Sequence, residues 1–153
     1  MKCEVEMVHQ YNVLVCAVTF HELPAQGESV LLLRRSLTER FLPGAWGLPC
    51  GKVEFTEDLE MAALRELNEE AGLTGEVEKM IGVSWFTSQY QGRPVENLQI
   101  NFAVRAQSSH VRLGRSNDQF RWVAVSRLDR APVPIDDFTL RAIRQALDER
   151  ISL

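Results

Sequence analysis

The 23 residues from Gly51 to Leu73 constrain this chain more than any other stretch. They read GKVEFTEDLEMAALRELNEEAGL and place three carboxylates, Glu66, Glu69 and Glu70, within five positions. On an α-helix these side chains fall within roughly a 100° arc, and each like-charge pair destabilises an exposed helix by about 0.2 to 0.5 kcal/mol. Such an arc is either a solvated acidic face or a site for Mg²⁺ or Mn²⁺, which prefer carboxylate oxygens.

The boundaries of this helix are predicted from its flanking residues. Thr56 is the expected N-cap, with Glu57 and Asp58 in the first turn, where the helix dipole favours negative charge. Gly72 is the expected C-terminal stop. An apolar stripe lies beside the carboxylate arc and consists of Leu59, Ala63, Leu67 and Ala71. If the stripe packs on a sheet, the carboxylates lie at the edge of that packing, in a cleft partly shielded from water.

The fixed positions of this stretch follow the pattern G-x5-E-x7-R-E-U-x-E-E-x-G-U, where U is a bulky aliphatic residue. Nine specified positions match over 23 residues. In this motif the chain resembles the Nudix hydrolases, and its compact size is similar to that of MutT-like pyrophosphohydrolases. The resemblance implies an α/β class fold, an α/β/α sandwich with a mixed sheet between helices. It covers nearly the whole chain in architecture and only this motif in sequence detail.

The same resemblance implies hydrolysis of the pyrophosphate linkage of a nucleoside diphosphate derivative by a metal-activated water. Glu66, Glu69 and Glu70 would be the ligands of Mg²⁺ or Mn²⁺, and the main-chain carbonyl of Cys50 would be a further ligand. Glu66 is the first candidate for the base that activates water, and Glu69 is the second catalytic candidate. A catalytic thiol at Cys50 is disfavoured, because neighbouring carboxylates would raise its pKa.

Four motif residues are expected to be structural: Gly51, Glu57, Arg65 and Gly72. By resemblance, Arg65 and Glu57 form an ion pair that holds the preceding loop against the helix. Two positions depart from the family pattern. Cys50 stands where a second glycine is common, and a Glu that often precedes the last strand's Trp is absent. Asp118, four residues before Trp122, is the candidate replacement.

Apolar segments near the N-terminus predict the first strands. Residues 12–20 (NVLVCAVTF) are almost wholly apolar, which predicts a strand covered on both faces. A turn over residues 24–28 leads to a strand over residues 29–33, and the two strands pair as a hairpin. Residues 46–54 form a short strand, broken by proline and glycine, that leads into the motif.

The second half of the chain is predicted to form strands followed by a final helix. In order, the predicted segments are a strand at 77–86, a turn at 90–95, a strand at 97–104, a loop at 108–119 and a strand at 120–125. Asp136 and Asp137 cap the last helix. The 97–104 strand alternates, with Asn97, Gln99, Asn101 and Ala103 on its more polar face. That face is either the floor of a nucleotide pocket or a solvated sheet surface.

The sequence says less about the substrate. Arg34, Tyr90 and Asp118 are the candidate substrate-binding residues, while Trp85 and Phe86 either stack on a base or, as the favoured interpretation, belong to the core. A nucleoside triphosphate, as in MutT-type enzymes, is the leading substrate. The alternatives are a dinucleoside polyphosphate, ADP-ribose, a nucleotide sugar, an RNA 5′ end, and a noncatalytic nucleotide-binding sensor.

Composition limits the remaining possibilities. The 153 residues, 45% of them apolar, predict a single domain over 1–153 with a sizeable core. A polar N-terminus and the lack of a long apolar run predict a cytoplasmic protein that does not enter membranes. A net charge of -4 makes nucleic acid an unlikely partner, and a homodimer stays open. Cys3, Cys16 and Cys50 lack CxxC spacing, which favours reduced thiols.

Overall fold

The computed structural model describes residues 11–151. Its strands are β1 (Tyr11–Leu23), β2 (Gly27–Arg35), β3 (Trp46–Gly47), β4 (Cys50–Lys52), β5 (Gly75–Tyr90), β6 (Arg93–Ala106) and β7 (Asn117–Ala124). The helices are α1 (Leu59–Ala71) and α2 (Asp137–Ile151), and a 3-10 segment, Val125–Arg130, follows β7. In this part of the chain, no helix is long and apolar enough to cross a membrane.

The strands form one mixed sheet in the order β3-β2-β1-β6-β5. In addition, β4 pairs with β1 and β7 pairs with β2. β1 and β6 are parallel over ten residue pairs, from Tyr11 opposite Glu96 to Phe20 opposite Arg105, and the other strand pairs are antiparallel. The predicted α/β class and mixed sheet are confirmed.

Each face of the sheet carries its own hydrophobic core. On one face, Val15 and Phe102 pack with Leu67 of α1. On the other, Val18 and Phe20 pack with Ile143 of α2. β1 is therefore buried on both sides, as its continuous apolar sequence predicts. Each such large side chain contributes about 1.5 to 3 kcal/mol when it is removed from water.

The predicted N-cap of α1 is wrong, whereas its predicted C-terminal stop is confirmed. Asp58, not Thr56, accepts hydrogen bonds from the first free main-chain N–H groups, those of Glu60 and Met61, at 3.0 and 3.1 Å. Thr56 lies in a turn with φ of 63°, a left-handed conformation. Gly72 is left-handed at the C-cap, and its N–H donates to the Asn68 carbonyl. Both Thr56 and Asp58 are residue types that cap helices, so sequence could not choose between them.

Strands β5 to β7 extend beyond their predicted limits. The predicted turn at 90–95 reduces to Gln91 and Gly92, whose φ values of 50° and 74° suit a two-residue hairpin turn. The predicted loop at 108–119 is also too long, because β7 already starts at Asn117. Asp118 is therefore a strand residue.

The predicted reduced thiols are wrong for two of the three cysteines. Cys16 of β1 and Cys50 of β4 face each other in the antiparallel register and form a disulfide. The two residues are 34 positions apart in sequence, so local spacing could not indicate the pair. Cys3 lies outside the described residues. Cys50 is not among the described residues with positive φ, so its side chain is accommodated without left-handed backbone strain.

The polar face of β6 is buried, so of the two alternatives left open for this face, the solvated sheet surface is excluded. Asn101 is 0% exposed and Gln99 is 5% exposed. Their amides form a short chain of hydrogen bonds: Gln99 Nε2 donates to Asn101 Oδ1 at 2.8 Å, and Asn101 Nδ2 donates to Ser84 Oγ at 3.0 Å. A buried amide needs such partners, because leaving it unpaired costs about 1 to 3 kcal/mol.

Candidate active site

The carboxylate of Glu66 lies directly against the main chain of Gly51. A β-carbon added at Gly51 would overlap the Glu66 carboxylate, so any side chain at this position would displace that carboxylate. β4 thereby approaches α1 closely, and the carboxylates of the helix reach the end of the short strand. This packing explains why the motif requires glycine immediately before Lys52.

Arg65 connects the loop before α1 to the carboxylates of the helix. Its Nε and Nη2 donate to the two oxygens of Glu57 at 2.7 and 2.9 Å. Nη2 also donates to the Lys52 carbonyl at 3.0 Å, while Nη1 donates to Glu66 at 2.8 Å and Glu69 at 3.1 Å. The structure thus brings together the expected structural ion pair, and Arg65 also contacts two of the candidate metal ligands.

The candidate ligands differ in their surroundings. Partial burial raises the pKa of Glu66, although the Arg65 guanidinium opposes this shift. Burial and the neighbouring Glu66 raise the pKa of Glu70 to about 8, against the hydrogen bonds from the Cys50 N–H and the Asn117 side chain. The Cys50 N–H donates to Glu70 Oε2 at 2.9 Å. Glu69 is more open, with its side chain 56% exposed.

The donor chemistry of this site suits a hard divalent cation. Within residues 11–151, no three His, Cys, Asp or Glu side chains already converge as a metal site. However, Glu66 and Glu70 offer carboxylate oxygens in partly buried surroundings and repel each other, which a cation would relieve. Arg65 supplies the positive charge at Glu66 and Glu69. These residues fit a divalent ion that would compete with Arg65 for the same oxygens.

A cavity of about 430 Å³ opens beside Glu70, between the sheet and α2. Its wall is largely apolar and aromatic, and it is built from all seven strands, both helices and the segment before β3. The wall includes Cys16, Arg35, Phe41, Leu42, Cys50, Glu70, Phe86, Gln99, Asn117, Asp136, Phe138 and Thr139. Its volume falls within the roughly 300 to 1,000 Å³ typical of small-molecule sites.

Aromatic and amide side chains give the cavity its chemical character. The rings of Phe86 and Phe138 pack edge to face, with centroids 5.5 Å apart. Gln99 and Asn117 are buried amides that line the wall, and amides can both donate and accept hydrogen bonds. A planar, polar heterocycle is the class of ligand that such a wall can hold.

Arg35 lies where the cavity meets the candidate metal ligands. Its Nε donates to the Phe41 carbonyl at 2.6 Å, and its guanidinium lies 5.8 Å from the centre of the Phe41 ring. Its charge also acts on Glu70, whose pKa it lowers. Phe41 and Leu42 are about half exposed and form the rim.

The structure does not place the predicted substrate-binding residues in the cavity wall. Arg34 and Asp118 form a bidentate ion pair across β2 and β7, with both distances 2.7 Å. Tyr90 is 67% exposed at the β5–β6 turn. The favoured core assignment is wrong for Trp85, which is 61% exposed and packs on the Tyr11 ring, whereas Phe86 lines the cavity.

Sequence reasoning missed the contribution of α2 to the site. Phe138 and Thr139 come from the first turn of that helix, for which the sequence predicted only the capping residues. An aromatic residue two positions after the capping residue Asp136 was the available signal. Asp136 does cap α2, as predicted, since its Oδ1 accepts from the Thr139 N–H at 2.7 Å.

Comparisons with known proteins agree with this architecture. The family model described as the NUDIX domain matches residues 11–143. An RNA pyrophosphohydrolase of Novosphingobium aromaticivorans is 31% identical over 125 residues, covering 69% of this chain and 74% of that protein. The human 8-oxo-dGDP phosphatase NUDT18 is 34% identical over 85 residues, which cover 52% of this chain and 26% of that protein. The crystal structure of a MutT protein from Methanosarcina mazei superposes with a TM-score of 0.73 and 25% identity, covering 94% of this chain and 98% of that one.

Proposed function

The chain belongs to the Nudix family of pyrophosphohydrolases, and we propose that its substrate is a nucleoside triphosphate whose base enters the cavity. The observation that carries this proposal is that Glu70 belongs both to the carboxylate cluster of α1 and to the cavity wall. A ligand with its heterocycle in the cavity therefore directs its phosphates toward Glu66 and Glu70. The polyphosphate and the base are then bound by adjoining parts of one site.

We propose Mg²⁺ or Mn²⁺ as the cofactor, held by Glu66, Glu69 and Glu70 with the main-chain carbonyl of Cys50. When bound, such an ion neutralises phosphate charge and lowers the pKa of water. Glu66 is the candidate acceptor of the attacking water's proton, because its carboxylate is partly buried and lies against the main chain of Gly51 at the end of β4. Arg65 holds that carboxylate in place through Nη1.

Other side chains position the substrate. Arg35 lies between the rim and Glu70, so its guanidinium is the candidate contact for the phosphate group that is farther from the hydrolysed pyrophosphate bond. Phe86 and Phe138 provide the aromatic contacts to the base, and Gln99 and Asn117 form hydrogen bonds with its edge through their amides. Phe41 and Leu42 at the rim exclude water from the bound nucleotide.

An RNA 5′ end is the second candidate substrate, and the similarity to the Novosphingobium RNA pyrophosphohydrolase favours it. A triphosphorylated RNA presents the same terminal base and phosphates as a free nucleotide. It also requires space for the next nucleotide, and the net charge of -4 works against a long polyanion. A noncatalytic sensor is disfavoured because a sensor has no need of three clustered carboxylates.

Product analysis with a panel of substrates tests the proposal. The panel contains standard and oxidised nucleoside triphosphates, a dinucleoside polyphosphate, ADP-ribose, a nucleotide sugar and a 5′-triphosphorylated RNA, each with Mg²⁺ or Mn²⁺. We expect kcat/KM to be highest for a nucleoside triphosphate, with release of pyrophosphate or phosphate. A higher kcat/KM for the RNA would replace the leading proposal by the second candidate.

A pair of aromatic variants tests the assignment of the cavity. Phe138→Ala removes a ring from the wall, and we expect it to raise KM about tenfold, since base stacking is worth about 1 to 3 kcal/mol. Trp85→Ala is the matched control, because this ring is exposed and lies outside the cavity wall. Equal KM values for the two variants would contradict binding of the base in this cavity.

A further inference from the structure

Cys16 and Cys50 occupy the position in the β1–β4 ladder that brings side chains closest together. The Ala17 N–H donates to the Pro49 carbonyl at 2.9 Å, and the Val53 N–H donates to the Val13 carbonyl at 3.1 Å. These bonds make Cys16–Cys50 a non-hydrogen-bonded pair, and its Cα atoms are 4.2 Å apart. The two sulfur atoms are bonded in the structure.

The cysteine pair lies where the cavity meets the carboxylate cluster of α1. Both cysteines line the cavity, and Cys16 is 1% exposed while Cys50 is partly exposed. Because the Cys50 N–H points away from β1, it is free to donate to Glu70 Oε2, at 2.9 Å. Cys50 thus lines the cavity and also has its main chain against a carboxylate of the active site.

We propose that Cys16 and Cys50 are a reversible thiol–disulfide pair whose oxidation state sets the position of β4 against α1. The thiol chemistry is independent of the proposed function, whereas the effect on turnover rests on it. The pair would make the hydrolase respond to the ratio of small disulfides to thiols around it.

The exchange reaction follows from the exposure of the two sulfur atoms. The Cys50 thiolate, reached through the cavity, attacks a low-molecular-weight disulfide and releases one small thiolate. The Cys16 thiolate then attacks the Cys50 sulfur of the mixed disulfide and releases the second. The protein thiols lose two protons and two electrons, and the small disulfide gains them as two thiols. Reduction reverses both steps, with the small thiol attacking Cys50 first.

The structural consequence is a shift at the end of β4. Bonded sulfur atoms lie about 2.0 Å apart, and after reduction the two thiols separate to roughly 3.5 to 4 Å. β4 has only three residues, so it shifts position more readily than the 13-residue β1. Its movement changes the Cys50 N–H contact with Glu70 and the position of the Cys50 carbonyl.

Mass spectrometry and thiol titration test the pair directly. The full chain is equilibrated with oxidised or reduced glutathione, and Cys16→Ser and Cys3→Ser are compared with the wild type. We expect the wild type and Cys3→Ser to lose two hydrogen atoms on oxidation and to regain them on reduction. Cys16→Ser should form no intrachain disulfide, and Cys16→Ala replaces it if the serine at this buried position prevents folding. Two free thiols persisting at positions 16 and 50 in excess oxidised glutathione would overturn the proposal.

Thermal melting gives a readout that does not need activity. The disulfide closes a loop with a sequence separation of 34, so oxidation should raise Tm on the order of 10 °C in the wild type and not in Cys16→Ser. The further rise in Tm caused by Mn²⁺ should be larger in the oxidised state, because Cys50 is then fixed beside Glu70. An equal Mn²⁺ effect in both states would refute the coupling between the pair and the site.

Hydrolysis separates this proposal from the proposed function. We expect kcat/KM to fall about threefold to tenfold on reduction, the effect of weakening one hydrogen bond, and Cys16→Ser to keep the reduced value in both buffers. Identical kcat/KM values for the oxidised and reduced protein would overturn the proposal that the cysteine pair controls turnover. If neither state hydrolyses any nucleotide, the proposed function fails, while the mass and Mn²⁺ melting results still decide the thiol proposal.

Discussion

Folding and metal binding favour opposite charge states of Glu66 and Glu70. Burial and mutual repulsion disfavour their charged forms, yet a metal ion requires both to be ionised. This conflict is typical of sites where function, and not stability, determines the residue. Amide substitutions separate the two demands, because they keep the shape of the side chain and remove its charge.

We expect Glu66→Gln and Glu70→Gln each to lower kcat at least about a hundredfold, which corresponds to ~2.7 kcal/mol of transition-state stabilisation. The Tm of metal-free Glu70→Gln should equal or exceed that of the wild type, because burial and the neighbouring Glu66 disfavour the charge that is removed. Glu66→Gln also loses the charge that pairs with Arg65, so its Tm should change little. Glu60→Gln is the matched control, since Glu60 is exposed on the same helix. Wild-type kcat in both site variants would refute the assignment, and their unfolding would mean that the carboxylates are structural.

The raised pKa of Glu70 predicts a pH dependence of the metal-free protein. Its folded-state value of about 8 lies above the ordinary value of 4.5, so the protonated carboxyl is favoured in the folded protein. The stabilising contribution is therefore complete below about pH 4.5 and is lost as the pH rises towards 8. We expect Tm in the presence of EDTA to fall over this range more steeply for the wild type than for Glu70→Gln. Parallel Tm profiles of the two proteins would contradict the shift.

At the scale of elements, the ends of α1 show how local chemistry determines a boundary. Asp58→Ala removes both hydrogen bonds to the first turn and should lower the free energy of unfolding by about 1 kcal/mol. Thr56→Ala should change it by less than about 0.5 kcal/mol, because Thr56 does not cap the helix. Urea denaturation of the two variants measures the difference. A larger effect at Thr56 would restore the sequence-based prediction of the cap.

Local sequence patterns predicted the elements and the β1–β2 hairpin, which is confirmed, but not the pairing of strands that are distant in sequence. The apolar run of β1, the alternation of β6 and the motif on α1 each depend on neighbouring residues, so they could be recognised. The parallel pairing of β1 with β6 joins residues about 85 positions apart, as Tyr11 and Glu96 show. No local pattern indicates such a contact, nor the pairing of Cys16 with Cys50.

The candidate site also has a part that local sequence patterns predict and a part that they do not. Its carboxylates lie within five residues of one helix, where periodicity alone brings them together. The cavity wall is instead assembled from distant segments: Phe86, Gln99 and Phe138 belong to β5, β6 and α2. Their proximity depends on the order of strands in the sheet. The carboxylate cluster, and with it the type of reaction, could therefore be predicted from sequence more readily than the cavity that selects the substrate.

For the molecule as a whole, metal binding should couple activity to stability. We expect hydrolysis to require Mg²⁺ or Mn²⁺ and to stop in excess EDTA. An ion at about 100 times its Kd stabilises the folded protein by about 2.7 kcal/mol, which raises Tm by roughly 5 to 10 °C. Calorimetry or a fluorescence melt checks this shift, and Glu70→Gln should reduce it. Full turnover with EDTA, or no change in Tm at millimolar metal, would contradict a metal site.

The sheet separates two hydrophobic cores, with α1 packed on one face and α2 on the other. Substitutions at Phe138 or Thr139 can thus alter which heterocycle fits without disturbing the packing of Leu67 beneath the carboxylates. Over evolutionary time, one face can diversify while the other is held constant. A chain built this way can acquire a new substrate by changing the first turn of a single helix.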